Sequence, residues 1–200
     1  TDTFRDNEGT LRKVPVDQCA AYGGFGILDE INIAKNDVVA VLHATLDYRR
    51  IIDVPGYEKI DLHPATRFIG TMNYGYAGTK ELNEALVSRF LVIYMPALTE
   101  DTLSQIFHSA FPRLKQEAEK QFSGLFLDLQ KKADNSEIST KAIDLRGMLA
   151  ALKLISGGLK PSLAVAMGIT NKNFDLFERE MVEDIVRTRI PESWSASEVF

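Results

Sequence analysis

The sequence is poor in cysteine and has no long apolar segment, and each absence excludes a class of protein. Cys19 is the single cysteine among the 200 residues, so no internal disulfide can form, which fits a reducing compartment. No apolar run approaches the roughly 18 residues that span a bilayer. The first ten residues, TDTFRDNEGT, lack the basic start and the apolar stretch of a secretory signal. We therefore expect a cytoplasmic protein that does not enter a membrane.

Positive charge and metal-binding side chains are also scarce. The formal net charge is -5 at pH 7, and lysine and arginine form no dense block, so we expect no nucleic-acid partner. The three histidines, His43, His63 and His108, do not share the short spacing of a zinc site. What remains is an ordinary globular composition, with 45% hydrophobic and 26% charged residues, enough for one large domain or two small ones.

Short apolar runs alternate with helical patterns in the first half of the sequence. The runs FGILD, TRFIGTMN and FLVIYMP have the length and composition of strands that are buried on both faces. The turn-forming residues DNEG, and later Pro55 with Gly56, each predict a hairpin. Because strands and helices alternate, we predict a protein of the α/β class, with a mainly parallel sheet and helices on both sides.

The second half has helical patterns only. Its first segment, RLKQEAEKQFSGLFLDLQKK, has an apolar stripe made of Leu114, Ala118, Phe122, Leu125 and Leu129. The segments STKAIDLRGMLAALKLISGG and NFDLFEREMVEDIVRTR also predict helices. The change of pattern falls near Pro112. We therefore predict an α/β domain over residues 1–112 and a small helical domain over residues 113–200.

Polar side chains follow two of the predicted strands at the point where each strand ends. Asp29 and Glu30 follow the first strand, and Asn73 follows the second. The carboxyl ends of parallel strands form the edge of such a sheet at which ligands bind. There, Asp29 could hold a hydrated Mg²⁺ while Glu30 orients and polarises a water for attack on a phosphoryl group. The amide of Asn73 could hold that water and a phosphate oxygen, because it has both donors and an acceptor.

Each of these residues also has an ordinary structural explanation. An acidic residue after a strand can cap the next helix or lie exposed in a loop, and an asparagine can begin a turn. Arg89, at the end of the predicted helix KELNEALVSRF, is favoured by the helix dipole whatever its function. Taken singly, none of these residues decides between structure and chemistry.

The motifs ILDEIN, FIGTMN and ELNEALVSRF, in this order and at these intervals, resemble the second half of the nucleotide-binding core of the AAA+ ATPases. More narrowly, they resemble the dynein-related group, AAA_5, with MoxR, NorQ, CbbQ and McrB-like proteins. The resemblance extends over nearly the whole chain. It implies that Asp29 and Glu30 are the Walker B pair, with Asp29 at the Mg²⁺ ion, that Asn73 is sensor 1, and that Arg89 is an arginine finger acting on the neighbouring subunit.

The resemblance also implies a fold: part of a parallel, P-loop NTPase-like sheet with flanking helices, followed by a small all-α lid. Family lids carry a nucleotide-binding sensor 2 arginine, often in an S-x-R pattern at the start of a helix. Here STKAIDLR has Lys141 at that place and Arg146 five residues later. A lysine keeps the charge but loses the planar fork that grips phosphate in two places. Both residues remain candidates for sensor 2, with surface solvation as the alternative for each.

One family motif has no counterpart in these residues. The phosphate-binding P-loop, G-x-x-x-x-G-K-[ST], does not occur, and GYAGTK at residues 75–80 has the wrong spacing and follows the sensor strand. The family strand that leads into the P-loop would lie between TRFIG and FLVIY, so without it two edges would face a gap. We therefore expect this chain to be part of a longer ATPase and to be inactive alone. Another chain, a rearranged strand order or an exchange of segments between copies are the alternatives.

For the intact protein, the resemblance implies an ATPase that uses ATP and Mg²⁺, assembles into a hexameric ring and remodels or activates a partner protein. In MoxR-like members that partner carries a von Willebrand A domain. Two other functions are consistent with the residues: a scaffold without a P-loop that uses the fold for docking only, and a GTP-dependent nucleic-acid motor subunit like McrB. An upstream P-loop in the parent reading frame would exclude the scaffold.

Overall fold

The computed structural model describes residues 15–34, 36–54, 58–73 and 82–200. The hairpin predicted at DNEG, in the first 14 residues, lies outside the described residues. The chain divides into two compact units, Thr1–Tyr94 and Met95–Phe200. No helix in the described ranges is long and apolar enough to cross a membrane.

The first unit is a mixture of short strands and helices. In its described residues, the elements in chain order are α1 (Pro15–Tyr22), β1 (Gly24–Leu28), a 3-10 turn (Ile31–Ile33), α2 (Asn36–Leu46), β2 (Ile51–Ile52), β3 (Ile60–Asp61), β4 (Thr66–Gly70) and α3 (Glu84–Val87). Helix α1 is followed by Gly23, whose φ of 89° suits a residue without a Cβ. Its N–H donates to the Cys19 carbonyl at 3.0 Å, which closes the helix before β1 begins.

The described residues of the first unit contain two pairs of strands. β1 and β4 run parallel, with a register that extends from Gly24 opposite Thr66 to Leu28 opposite Gly70. β2 and β3 are antiparallel, with Ile51 opposite Asp61, so the hairpin predicted around Pro55 and Gly56 is confirmed outside its turn, which lies beyond the described residues. The parallel pair and its helices confirm the α/β class.

The strands β1 and β4 are less buried than the sequence predicted. Phe25 and Ile27 of β1 are 73% and 67% exposed, and Ile69 of β4 is 48% exposed. The prediction that both strands are buried on both faces is therefore wrong. An apolar run shows that a strand is able to be buried, but burial also requires a layer that covers it. In the described part of the chain, one face of this two-stranded sheet has no covering layer.

The prediction of a third strand at FLVIYMP is also wrong. Residues 91–99 have no regular secondary structure, and the five residues Leu91–Met95 are between 66% and 98% exposed. A strand exists only through hydrogen bonds to a neighbouring strand, and no described segment pairs with this one. Its composition suits a buried strand, but the described residues provide no neighbouring strand for it to pair with.

A small apolar cluster supports the chain where β1 ends. Ile31, Leu42 and Leu86 are buried together, and Leu28 and Phe90 pack against them. Ile31 also lies against Gly70, where a Cβ would be 3.5 Å from its Cγ2. The residues that follow β1 are thus anchored on α2, α3 and β4.

The second unit is entirely helical. It contains α4 (Glu100–Ala110), α5 (Gln116–Asp134), a 3-10 turn (Thr140–Ala142), α6 (Leu145–Ser156), α7 (Pro161–Gly168), a second 3-10 turn (Thr170–Lys172), α8 (Leu176–Arg189) and α9 (Ala196–Val199). All five residues of the predicted stripe are at most 9% exposed; four of them lie on α5, and Leu114 lies two residues before it. Leu103 and Phe107 of α4 are fully buried in the same core. The compact unit therefore begins at Met95, earlier than the predicted boundary near Pro112, because α4 packs with α5.

Helices α6 and α7 cross at two glycines. A Cβ on Gly147 would lie 2.1 Å from the Gly168 carbonyl oxygen, and a Cβ on Gly168 would lie 2.4 Å from the Gly147 carbonyl oxygen. Because both obstacles are backbone atoms, no rotamer change can relieve them. Close approach of the two helices therefore requires glycine at both positions.

We expect Gly147→Ala to lower the free energy of unfolding by about 1–3 kcal/mol, because the two helices must separate to admit the methyl group. The measurement is urea unfolding followed by circular dichroism. Gly124→Ala in α5 is the matched control, since the atoms nearest to its Cβ would belong to the Arg189 guanidinium, the far end of a flexible side chain, and alanine favours a helix by about 1 kcal/mol. Equal unfolding midpoints for the two variants would contradict this account of the crossing.

Candidate functional site

The site forms where β1 and β4 end side by side. Leu28 is opposite Gly70 at the end of the parallel register, so Asp29 and Thr71 are the first residues beyond the two strands. The Thr71 N–H donates to the Leu28 carbonyl, and the Ile31 N–H donates to the Thr71 carbonyl, both at 3.0 Å. Hydrogen bonds between the two chain segments thus continue beyond the ends of β1 and β4. They place Asp29, Glu30 and Asn73 at one edge of the sheet.

The two acidic residues differ in how they are held. The Asp29 Oδ1 accepts a short hydrogen bond from the Thr71 hydroxyl. The Glu30 N–H donates to the same hydroxyl oxygen at 3.2 Å, while its carboxylate is exposed and bonds to none of the described residues. Glu30 adopts φ 50° and ψ 47°, the left-handed region, which costs a residue with a Cβ roughly 1–2 kcal/mol. The backbone turns sharply here, and the Glu30 carboxylate stays open to a ligand.

Asn73 is exposed at the end of the neighbouring chain segment. Its backbone carbonyl accepts a hydrogen bond from the Asn32 Nδ2 at 3.1 Å. Asn32 is only 5% exposed, and its Oδ1 is buried without a partner among the described residues. The loop after β1 is therefore tied to the segment after β4 at a second point.

Arg89 lies beyond α3 and interacts with its own surroundings. Its Nη1 donates a short hydrogen bond to the Ala85 carbonyl, and its Nη2 is 4.0 Å from the Asp47 Oδ2. Asp47 is bound mainly by Arg49, whose side-chain hydrogen bonds hold the pKa of that carboxyl below its usual range. No hydrogen bond or ion pair in the described part of the chain joins Arg89 to Asp29, Glu30 or Asn73. The structure thus brings together three of the four core residues singled out from the sequence.

The two lid candidates lie in the second unit, on either side of a capping carboxylate. Lys141 is in the 3-10 turn and Arg146 is in the first turn of α6, and both are exposed. Asp144 caps α6 by accepting from the Gly147 N–H at 2.8 Å, and it forms an ion pair of 2.5 Å with Lys172. Arg146 is the candidate at the start of a regular α-helix.

Asp144 has a perturbed pKa. Burial alone would raise the pKa of this carboxyl, but the hydrogen bonds from Lys172 and from the Gly147 backbone, with the charge of Lys172, bring it below its usual value. A lowered folded-state pKa stabilises the fold at pH values above the unfolded pKa, and this contribution is lost as the pH falls through the folded pKa. The cap and the ion pair therefore hold the start of α6 at neutral pH.

Part of the chain matches a known protein family. Residues 4–90 match the family described as AAA domain, dynein-related subfamily. The match contains Asp29, Glu30, Asn73 and Arg89. Over these residues the chain is similar to part of an AAA domain of the dynein-related subfamily.

Two bacterial relatives match a larger share of the chain than the family model does. The uncharacterised protein YojN of Bacillus subtilis (strain 168) is 32% identical over 175 residues, which are 87% of this chain and 57% of YojN. An uncharacterised protein of Staphylococcus aureus (strain NCTC 8325) is 33% identical over 143 residues, which are 71% of this chain and 54% of that protein. The chain thus spans just over half the length of these relatives.

AAA domains bind ATP with Mg²⁺ in general, and the strand edge suits that metal. The part of the chain that the structure describes has no group of three or more His, Cys, Asp or Glu residues that could enclose a metal ion. Mg²⁺ does not need one, because it keeps several waters and is held by one or two carboxylates together with substrate phosphates. Asp29 fits this role, since no described residue bonds to its Oδ2.

Sequence reasoning missed two residues that hold this strand edge together. Thr71 reads as an ordinary β-branched residue at the end of a strand, and Asn32 reads as a loop residue. The available signal was their position: Thr71 lies two residues before Asn73, and Asn32 lies two residues after Glu30. Only the parallel register shows that these residues bind across the two strand ends.

Proposed function

We propose that this chain is the water-activating part of an ATPase that couples ATP hydrolysis to remodelling or activation of a partner protein. One observation carries the proposal. Two exposed carboxylates and an exposed amide stand together at the ends of adjacent parallel strands, in a domain of a nucleotide-hydrolysing family. A phosphate bound above this edge would meet all three.

The three side chains would divide the chemistry between them. Asp29 would hold Mg²⁺ through its free Oδ2, with waters completing the shell. Glu30 would orient the attacking water and polarise its O–H bond, which is the positioning that phosphoryl transfer requires. The amide of Asn73 would donate to a phosphate oxygen and accept from the same water.

The phosphates themselves need a cradle that these 200 residues do not supply. The sequence has no G-x-x-x-x-G-K-[ST] motif, and in the described residues β4 pairs with β1 alone. The exposed apolar segment Leu91–Met95 is composed like a buried strand. We infer that a longer protein provides the phosphate-binding loop and a strand that completes the sheet. The greater length of the two relatives supports this.

Assembly and partner are further parts of the proposal. Arg89 would act as an arginine finger on nucleotide held by the next subunit of a ring, which we propose to be hexameric and cytoplasmic, and Lys141 or Arg146 would contact nucleotide from the lid. The similarity to MoxR-like proteins favours a partner with a von Willebrand A domain. A docking scaffold is the second candidate function, favoured by the absence of the phosphate-binding motif from these residues.

Nucleotide binding separates the two candidates. We expect the 200-residue chain to bind MgATP more weakly than about 1 mM by isothermal titration calorimetry, because the carboxylates alone would not hold the triphosphate. A longer protein that includes the phosphate-binding loop should bind in the micromolar range. Micromolar binding by the short chain would contradict the inferred need for an added loop, and no binding by the longer protein would favour the scaffold.

A further inference from the structure

Thr71 directs every one of its polar groups at the segment that carries the two acids. Its hydroxyl donates to the Asp29 Oδ1 and accepts from the Glu30 N–H at 3.2 Å. Its backbone N–H donates to the Leu28 carbonyl, and its carbonyl accepts from the Ile31 N–H, each at 3.0 Å. One residue after β4 therefore bonds to four consecutive residues, which are the last residue of β1 and the three that follow it.

The hydroxyl is suited to this double task. A threonine hydroxyl has one donor and two acceptor positions, so a single oxygen can bind the Asp29 carboxylate and the Glu30 amide together. The bond to the carboxylate is charge-assisted, and such bonds are roughly twice as strong as neutral ones. It occupies Oδ1 and leaves Oδ2 for a metal. The Thr71 hydroxyl also accepts from the amide of Glu30, whose left-handed backbone conformation must be stabilised by its surroundings.

Asn32 makes a second tie in the opposite direction. Its Nδ2 donates to the Asn73 carbonyl at 3.1 Å, and the side chain is 5% exposed. A buried amide whose Oδ1 has no partner among the described residues costs free energy. Burial of the Asn32 amide thus destabilises the fold, while its donor holds the backbone of Asn73.

We propose that Thr71 and Asn32 are positioning residues of the hydrolysis site. Thr71 sets the spacing and orientation of Asp29 and Glu30, and Asn32 fixes Asn73 relative to them. The inference rests on the proposed function. It adds that the site is a cross-braced unit in which each strand end positions the reactive residues of the other.

The first test uses Thr71→Val and Thr71→Ser in the longer protein with its phosphate-binding loop. Valine matches the shape of threonine without the hydroxyl, and serine restores the hydroxyl. We expect Thr71→Val to lower kcat for ATP hydrolysis by about 10- to 100-fold, the usual cost of losing a partner of a metal-site carboxylate, with KM for MgATP unchanged. Thr71→Ser should recover most of the rate. A Thr71→Val enzyme with normal kcat, or a serine variant as slow as valine, overturns the inference.

The second test does not depend on hydrolysis. It measures the hydrogen-exchange rates of the backbone amides bonded to Thr71 in the 200-residue chain. In Thr71→Val the Glu30 amide loses its acceptor and should exchange faster, whereas the Ile31 amide keeps the Thr71 backbone carbonyl and should stay protected. Loss of protection at both amides would show a general loosening and overturn the brace. Unchanged exchange at Glu30 would do the same.

Asn32→Leu provides the matching test of the second tie. Leucine has similar volume and removes the buried amide, so the fold should survive while kcat falls and KM stays constant; a normal kcat would exclude Asn32 from the brace. Absence of hydrolysis by the wild-type longer protein would overturn the proposed function itself. Normal hydrolysis by wild type together with unaffected Thr71→Val and Asn32→Leu variants would overturn only the positioning inference.

Discussion

Glu30→Gln should abolish ATP turnover in the longer protein and leave MgATP binding intact. Glutamine has nearly the shape of glutamate but no charge, so it can occupy the same exposed position without polarising the attacking water. A positioned general base contributes about 10²- to 10⁴-fold to rate, and the loss should fall in this range. Steady-state phosphate release measures turnover, and calorimetry measures binding.

The control for Glu30 is an exposed glutamate away from the strand edge. Glu180 of α8 is exposed, and Glu180→Gln makes the same chemical change there. We expect it to hydrolyse ATP at the wild-type rate. Unchanged hydrolysis by Glu30→Gln would remove Glu30 from the mechanism, whereas loss of both binding and turnover would point to a damaged fold.

The position of the candidate site was predictable from the sequence because it depends on two local patterns. Apolar runs predicted β1 and β4, and polar residues directly after each run predicted reactive strand ends. Parallel strands place their carboxyl ends on the same edge whatever surrounds them. Asp29, Glu30 and Asn73 therefore lie at one edge even though the predicted burial of both strands was wrong.

The errors concern properties that a strand shares with a neighbour. Burial of Phe25 and Ile27 depends on a covering layer, and the strand predicted from FLVIYMP depends on a hydrogen-bonding partner. Neither property is encoded in the run itself. The roles of Thr71 and Asn32 were missed for a related reason, since their partners lie about 41 residues away in sequence and come together only through the register of β1 and β4.

In the helical unit, too, a feature set by a local pattern was predictable and a feature set by a neighbouring element was not. The stripe that begins at Leu114 follows from 3.6-residue periodicity and is buried as predicted. The place of α4 does not follow from its own pattern, because an amphipathic helix does not specify which core receives its apolar face. Leu103 and Phe107 join the core of α5, which moves the start of the compact unit to Met95.

Arg89→Ala should reduce ATP hydrolysis by the longer protein by about 10³-fold or more, the usual contribution of an arginine finger, with MgATP binding unchanged. Arg89→Lys should recover little of the rate, because lysine keeps the charge but lacks the planar fork of the guanidinium. The structural alternative is that Arg89 only holds the end of α3 through the Ala85 carbonyl and lies near Asp47. A lowered melting temperature of the alanine variant would favour that alternative.

Mixing variants decides whether Arg89 acts between subunits. An Arg89→Ala subunit keeps Glu30, and a Glu30→Gln subunit keeps Arg89, so neither variant alone should hydrolyse ATP. In a ring with head-to-tail contacts assembled from equal amounts of both, about a quarter of the sites pair an intact Glu30 with an intact Arg89 from the neighbour. We therefore expect hydrolysis to return to about a quarter of the wild-type rate on mixing. A mixture as inactive as its components would show that Arg89 does not act across a subunit boundary, because complementation requires the two residues to serve one site from two chains.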